Sequence, residues 1–158
     1  EIAHAAGLRA HELLTLCPVA ERAADPRPAL DSKWKGRSGE IYTVQGKGGL
    51  TREVMIPHEL AARLEERRLD APQVVTDRGV FYQSSYDIGG GQRWSNSVSA
   101  ASERTMGRST GAHGLRHSYA QERMTELQNR GLSRDAALET VSQEMGHFRP
   151  EITETYLR

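Results

Sequence analysis

The 158-residue sequence contains a single cysteine, no apolar run of membrane-spanning length, and no net charge. Cys17 alone cannot form an intrachain disulfide, so we expect a reducing, cytoplasmic location. The lack of a long apolar run, or of a charged-then-apolar leader, argues against a membrane or secreted protein. The hydrophobic content of 37% and charged content of 27% are those of an ordinary globular domain with its own core.

The zero net charge counts against a nucleic-acid partner, because phosphates favour basic surfaces. The charges are unevenly distributed, however. Residues 33–53 hold five basic and two acidic side chains, whereas residues 121–154 hold four arginines and seven acids. This asymmetry fits a protein that binds DNA on one side, and it fits solvated charge on a small domain equally well. From the basic stretch we predict DNA backbone contacts by Lys33, Lys35, Arg37 and Arg52.

The spacing of apolar residues predicts an α+β domain that is mostly helical, with one small antiparallel β-sheet. The segments IYTVQ and LTREVMIP flank the turn GKGG and are typical of a β-hairpin. Residues 17–39 are expected to form a long connection, and residues 74–92 are ambiguous. Helices are predicted over residues 8–16 with Gly7 at the start, after Pro57, over 95–105 capped by Ser95, and over 111–131 with Gly131 at its end. Two more are predicted over 134–145 between Ser133 and Gly146, and after Pro150 with Ile152 and Tyr156 on one face.

The sequence HGLRH places His113, Arg116 and His117 on one face of a predicted helix. Three basic groups near a helix N-terminus, which itself favours anions, indicate a phosphate site, although a solvated basic face gives the same pattern. His113 and His117 also have the spacing of a zinc-binding helix. Gly114 stands where such a helix carries its glutamate base, and the single cysteine offers little further ligation, so we expect no metal.

Each of the other candidate residues has an ordinary explanation when it is considered alone. Lys47 stands between two glycines at the predicted hairpin turn, where lysines are usually just exposed. His147 could be a surface histidine in a loop, and Tyr156 could pack into the core. Arg9 and Glu12 are three residues apart, so an intrahelical ion pair would account for both.

The chain resembles the tyrosine recombinase, or phage integrase, family in the order of its candidate residues, which are Arg9, Lys47, His113, Arg116, His147 and Tyr156. GLRAHELLTL is similar to the family's helix with the first arginine, with Glu12 at the usual acidic position. QGKGGLTREVMIP is similar to the family's lysine hairpin, HGLRHSYA to its HxLRH box, and MGHFRPEITETYLR to its GH…TxxY ending. The match covers almost the whole chain.

The resemblance implies a specific chemistry. In this family a tyrosine hydroxyl attacks a DNA phosphodiester, releases a 5′-hydroxyl and leaves a 3′-phosphotyrosine, so that religation needs no ATP, metal or other cofactor. By resemblance, Tyr156 is the nucleophile, and Arg9 and Arg116 bind the non-bridging oxygens of the phosphate.

The resemblance gives the remaining residues supporting roles. Lys47 is the candidate general acid for the leaving 5′-oxygen, because an alkoxide needs a proton to leave. His113 is the candidate proton acceptor from the tyrosine, and His147 would hydrogen-bond the phosphate. Glu12 is expected to orient its neighbours, and His117 joins the predicted DNA contacts.

The resemblance also implies a larger protein than residues 1–158, which match the catalytic domain alone. The family's amino-terminal DNA-binding domain and the tail after the tyrosine are expected to lie outside this sequence. The implied partners are double-stranded DNA and further copies of the chain, as a tetramer on DNA for the intact protein, with the isolated domain monomeric. A bacterial, nucleoid-associated protein of a phage or mobile element, acting in site-specific integration or excision, would have these properties.

Three other functions remain open at this point. A type IB topoisomerase uses similar groups to relax DNA without exchanging partners. A non-catalytic DNA-binding module could have kept the same fold. A metal-dependent hydrolase built on His113 and His117 would instead require zinc. The HxLRH and GH…Y boxes favour the recombinase.

Overall fold

In the computed structural model, the described residues 1–147 and 149–158 form six α-helices and five β-strands. The helices are α1 (Ile2–Ala6), α2 (His58–Glu65), α3 (Gly91–Met106), α4 (His113–Asn129), α5 (Arg134–Met145) and α6 (Pro150–Glu154). The strands are β1 (Cys17–Pro18), β2 (Glu40–Gln45), β3 (Thr51–Ile56), β4 (Arg68–Asp77) and β5 (Val80–Tyr86). Two short 3-10 turns occupy Glu12–Thr15 and Lys47–Gly49. No helix of the described residues has the length and apolar character needed to cross a membrane.

The predicted β-hairpin is confirmed as strands β2 and β3, with β1 added along the outer edge of β2. Tyr42 faces Val54 across this antiparallel pair, and Val44 faces Arg52. Alternate side chains of both strands point to one side, where Tyr42, Val44, Val54 and Ile56 are all buried. The sheet therefore presents an apolar face to the interior and its hairpin turn to the solvent.

The apolar side chains form two clusters. The first joins α1, the 3-10 turn at Glu12–Thr15, the β1–β3 sheet, α2 and Tyr86 of β5. The second lies between α4 and α5, where Leu127 and Val141 are fully buried, and it includes Tyr156. The predicted stripe of α4, which consists of Ala120, Met124 and Leu127, is confirmed as buried. Ser133 caps α5 through its hydroxyl, as predicted.

The helix predicted over residues 8–16 is wrong. Helix α1 lies before this segment and ends at Gly7, which adopts a left-handed conformation with φ 65°. A Cβ at Gly7 would lie 2.8 Å from Cδ1 of Tyr119, so the chain passes close to α4 at this point. Gly7 thus ends a helix instead of starting one, and Arg9 lies in an irregular turn.

The ambiguous segment 74–92 contains most of a second hairpin, β4–β5, so the domain has two small sheets and not one. Arg78 and Gly79 both have positive φ, 51° and 75°, which is the geometry of a tight hairpin turn. Helix α3 begins at Gly91, four residues before the predicted start, because the Asp77 carboxylate accepts a hydrogen bond of 2.9 Å from the Gln92 backbone N–H. The residue that caps α3 therefore lies on β4 and not in the sequence just before the helix.

The prediction that Ile152 and Tyr156 share a face of the last helix is also wrong. Helix α6 ends at Glu154, and the helical residue that it buries is Thr153. Ile152 is 39% exposed, whereas Tyr156, which follows the helix, is 6% exposed. The tyrosine therefore reaches the interior from a turn after α6.

Candidate active site

Glu12 is fully buried among three guanidinium groups. Its carboxylate lies 3.1 Å from Nη1 of Arg9, 2.9 Å from Nη2 of Arg52 and 3.9 Å from Nη1 of Arg116. It also accepts a hydrogen bond of 2.8 Å from the Arg9 backbone N–H. Burial acts to raise the pKa of Glu12, but Arg52, Arg116 and Arg9 together lower it to about 2. An ionised carboxylate therefore holds the three cations close together.

Arg116 projects from the first turn of α4 into the interior and is fully buried. Its Nη1 donates to the Gly7 carbonyl, and its Nη2 lies 3.2 Å from the Met145 carbonyl and 3.1 Å from Nε2 of His147. Burial and then Arg9 lower the pKa of Arg116 to about 10, so the group stays protonated at neutral pH. Its Nε–H is buried and finds no acceptor among the described residues. One donor of this guanidinium therefore makes no hydrogen bond within the described residues.

His147 lies directly after Gly146, whose left-handed conformation (φ 77°) ends α5. The His147 backbone N–H donates to the Ser142 carbonyl at 2.9 Å, and the ring Nδ1 lies 2.7 Å from Oγ1 of Thr153. Burial, then Arg116, lowers the pKa of His147 to about 3. The imidazole is therefore neutral at physiological pH.

The Tyr156 ring lies among imidazole and guanidinium groups. Its centroid is 5.0 Å from that of His113, 4.8 Å from that of His117 and 5.4 Å from that of His147, with which it stacks. The guanidinium carbon of Arg116 lies 5.3 Å from the same ring. The phenol of Tyr156, in the turn after α6, is thus surrounded by three imidazole rings. Two of them come from α4 and one follows the end of α5.

A cleft of about 760 Å³ opens beside this cluster. Arg9, Lys47, His113 and Arg116 line it, and the β4–β5 hairpin lies on its far side. Lys47 is exposed, in the turn between β2 and β3. Burial and then Arg116 lower the pKa of His113, which favours the neutral ring at neutral pH. The structure therefore brings the candidate residues from four parts of the chain to one region.

The predicted DNA contacts in the basic stretch lie in unlike surroundings. Arg52 is 7% exposed and binds the Glu12 carboxylate and the Glu144 carbonyl, so it is part of the interior and not of the surface. Arg37 forms an ion pair of 2.7 Å with Glu126. The Lys33 ammonium lies 4.4 Å from the ring centre of Trp34, and Lys35 is exposed.

Three further residues near the site were given no role of their own by the sequence analysis. Thr153, the threonine of the TxxY ending, and Ser142 are buried behind His147. His11 is partly buried and lines the cleft, and its burial lowers its pKa. The sequence carries no local signal for Ser142 or His11, since small hydroxyl residues and a histidine in a turn are common on protein surfaces.

The described residues contain no group of three or more His, Cys, Asp or Glu side chains placed to hold a metal ion. The rings of His113 and His117 lie 5.6 Å apart, edge to face. The histidine pair thus has no third ligand in this part of the molecule.

No protein-family model and no curated sequence matches this chain at a significant level. Solved structures do match over 99% of its length. The structure of XerH site-specific recombinase bound to palindromic difH substrate is similar with a TM-score of 0.57 and 20% identity, over 40% of that protein's chain. The structure of the Tn1549 transposon integrase in complex with a circular intermediate DNA is similar with a TM-score of 0.52 and 16% identity, over 52% of that chain.

These matches show the fold. The chain has the α+β fold of tyrosine recombinase catalytic domains, as its sequence predicted. It spans about half or less of the length of the two similar proteins.

Proposed function

We propose that this chain is the catalytic domain of a site-specific tyrosine recombinase, which cleaves and rejoins DNA through a 3′-phosphotyrosine at Tyr156. The observation that carries the proposal is the position of the Tyr156 ring, 5.3 Å from the Arg116 guanidinium and against three imidazole rings. Although Tyr156 also packs in the apolar cluster between α4 and α5, its ring lies next to cationic and imidazole groups that a purely structural core tyrosine would not need. A nucleophile for a phosphodiester needs cationic and proton-accepting neighbours.

The guanidinium pair supplies what a phosphate needs in its transition state. Negative charge builds up on the non-bridging oxygens, and hydrogen-bond donors that are already in position stabilise it. Arg9 and Arg116 line the same cleft, both beside the ionised Glu12, and Arg116 keeps a buried Nε–H without an acceptor among the described residues. Glu12 and Arg52 act by fixing this pair in place.

The reaction requires two proton movements. As the Tyr156 oxygen bonds to phosphorus, its proton passes to His113, whose lowered pKa leaves the ring able to accept it. The bond between phosphorus and the 5′-oxygen breaks, and Lys47 donates a proton to that oxygen from the turn at the mouth of the cleft. Attack by a 5′-hydroxyl reverses each step, so the chemistry consumes no cofactor.

The similar structures support double-stranded DNA as the partner, because the XerH and Tn1549 proteins were each solved with DNA. We propose the same partner for this chain, with further copies of it in the complex and a DNA-binding domain outside these 158 residues. Integration or excision of a phage or mobile element is the biological role that fits this activity.

A nicked suicide substrate tests the proposal. The chain is mixed, without divalent metal, with duplexes that carry a nick near the scissile phosphate and random sequence around it, so that the cleaved 5′-hydroxyl fragment diffuses away. We expect a protein–DNA adduct that survives denaturation and maps to Tyr156 by mass spectrometry.

Two phenylalanine variants make the test specific. Tyr156→Phe should abolish the adduct, whereas Tyr82→Phe, which removes a phenol hydroxyl that lines the neighbouring cleft, should retain it. An undiminished adduct in Tyr156→Phe would refute the proposal. DNA binding without any adduct or cleavage would identify a non-catalytic DNA-binding module, and cleavage that needs zinc and leaves no adduct would favour the hydrolase.

A further inference from the structure

We propose that Thr153 is a positioning residue of the active site, which together with Ser142 holds the His147 ring in one tautomer and one orientation. This inference deepens the proposed function and rests on it. A neutral ring whose Nε2 accepts from Arg116 has no hydrogen to give to a phosphate oxygen, so His147 acts by holding the Arg116 guanidinium and does not hydrogen-bond the phosphate, which the family resemblance had implied. The observation behind it is a continuous run of hydrogen bonds that starts at the Arg116 guanidinium and ends at a backbone carbonyl of α5.

At the Arg116 end of the run, chemistry decides which group donates each hydrogen bond. Nη2 of Arg116 lies 3.1 Å from Nε2 of His147, and a guanidinium can only donate. Nε2 must therefore accept, and in a neutral ring the hydrogen is then on Nδ1. That Nδ1 lies 2.7 Å from Oγ1 of Thr153, so the ring donates to the threonine hydroxyl.

The Ser142 hydroxyl supports the far end of the run. Oγ of Ser142 lies 2.7 Å from Oγ1 of Thr153, to which it can donate, and 2.8 Å from the Leu138 carbonyl. The Thr153 oxygen has two lone pairs, so it can accept from Ser142 and from the His147 ring together. The direction of the run is therefore set by the Arg116 guanidinium, and Ser142 holds the Thr153 hydroxyl in place.

The run is enclosed by protein. Thr153 is fully buried, Ser142 is 3% exposed and His147 is 8% exposed. Hydrogen bonds in such surroundings resist rearrangement, because a broken one would leave a buried polar group unpaired. An exposed histidine would instead exchange tautomers with the help of water.

Thr153 also connects this ring to the proposed nucleophile. Its carbonyl accepts a hydrogen bond of 2.9 Å from the Tyr156 backbone N–H. The same residue thus orients the imidazole through its side chain and the Tyr156 turn through its backbone. A merely structural threonine would hold the turn but would have no reason to select one tautomer of His147.

Nitrogen NMR of the 158-residue chain without DNA tests this relay, the run of hydrogen bonds from Arg116 through His147 to Thr153 and Ser142. The two ring nitrogens of a histidine differ in chemical shift when only one of them carries hydrogen. We expect the Nδ1–H tautomer of His147 in the wild type and in Thr153→Ser, which keeps the hydroxyl. In Thr153→Val, which keeps the shape and removes the hydroxyl, the Nδ1–H form should lose its dominance. A wild-type ring with hydrogen on Nε2, or an unchanged ring in Thr153→Val, would overturn the inference.

Cleavage of the suicide substrate gives the second measurement. By analogy with residues that orient metal-binding histidines, Thr153→Val should slow cleavage by roughly 10–100-fold at unchanged DNA affinity. Thr153→Ser should restore the rate, and Thr125→Val, a matched change on the exposed face of α4, should leave it unaltered. A Thr153→Val enzyme with wild-type kinetics would also contradict the inference.

The two measurements separate the two claims. If the wild type forms no adduct but shows the Nδ1–H tautomer that Thr153→Val loses, the relay stands and the proposed function fails. If the wild type forms the adduct but carries hydrogen on Nε2, the function stands and the relay fails.

Discussion

Glu12 is the residue on which the arrangement of the three arginines depends. Its carboxylate pairs with Arg9 from its own turn, with Arg52 from β3 and, at a longer distance, with Arg116 from α4. Buried charges of this kind stabilise a fold only while every partner is present, since the loss of one leaves the others uncompensated. The lowered pKa of Glu12, about 2, is the consequence of these three cations favouring the ionised form.

Replacing Glu12 by Gln should therefore destabilise the chain in a pH-dependent way. A carboxyl whose folded pKa lies below its ordinary 4.5 stabilises the fold above pH 4.5, and this contribution is lost as the pH falls towards 2. We expect Glu12→Gln to lower the free energy of unfolding at pH 7 by about 3 kcal/mol, with a deficit that narrows below pH 4.5. Urea denaturation at several pH values measures this.

Glu139→Gln is the matched control, because Glu139 lies on the exposed face of α5. It should change stability by no more than about 0.5 kcal/mol at any pH. A Glu12→Gln deficit that stays constant between pH 7 and pH 3 would show that charge is not what Glu12 contributes.

Sequence patterns predicted the local contacts of the candidate residues better than their long-range contacts. The Arg9–Glu12 ion pair was anticipated as a local contact, and it exists in a turn where a helix was expected. Arg52 was taken for a surface cation because it lies in a basic stretch, yet it is buried against Glu12. Only the folded chain brings residues 12 and 52 together, so no local pattern could indicate that contact.

At the scale of elements, the sequence succeeded where the signals are local. The β2–β3 hairpin, α4 and α5 carry their own turn, periodicity and capping residues, and all three were predicted. The start of α3 was missed because its cap, Asp77, lies on β4. The segment 8–16 was assigned to a helix on two leucines, but the close approach of Gly7 to Tyr119 ends α1 just before it.

The end of α5 gives a prediction about Gly146. A Cβ at this position would lie 2.5 Å from Cδ and 2.6 Å from Nε of Arg52, in addition to the strain of its positive φ. Gly146→Ala should thus displace Arg52 and the adjacent His147, and slow adduct formation. It should also destabilise the chain by at least about 1 kcal/mol more than strain alone.

Gly131→Ala isolates the strain. Gly131 also has positive φ, 93°, and nothing lies within 4 Å of a Cβ placed there. Thermal and urea denaturation of the two variants, with the adduct assay, make the comparison. If Gly146→Ala and Gly131→Ala lose the same amount of stability and of adduct formation, the claim that Arg52 needs the space at residue 146 is contradicted.

The turn between β2 and β3 gives a prediction about Lys47. If the lysine protonates the leaving 5′-oxygen, Lys47→Ala should slow cleavage by about 10²–10⁴-fold. A substrate with sulfur in place of that oxygen should remove most of the defect, because a thiolate leaves without a proton. An equal defect with both substrates would exclude Lys47 as the general acid.

For the whole molecule, the zero net charge is compatible with a DNA-binding cleft. The buried charges do not shift the surface balance towards a basic one, because three arginines and two glutamates are buried, so attraction of DNA would depend on where Arg9 and Lys47 lie and not on net charge. The fold brings Arg9, Lys47, His113 and Arg116 to one cleft, and it places the Tyr156 ring 5.0 Å from the His113 ring beside that cleft. The order of these residues along the sequence indicated the set, and only the fold supplies the distances.

The central claim is that these groups act on one phosphorus atom, and a change in the charge of that atom tests it most directly. Arg9→Ala should slow cleavage of an ordinary phosphodiester by about 10²–10³-fold. A suicide substrate with a neutral methylphosphonate at the scissile position develops little charge that needs stabilising. On this substrate we expect the cleavage rate of Arg9→Ala to be within about tenfold of the wild-type rate. A loss of the same size on both substrates would place Arg9 away from the scissile phosphate and contradict the account.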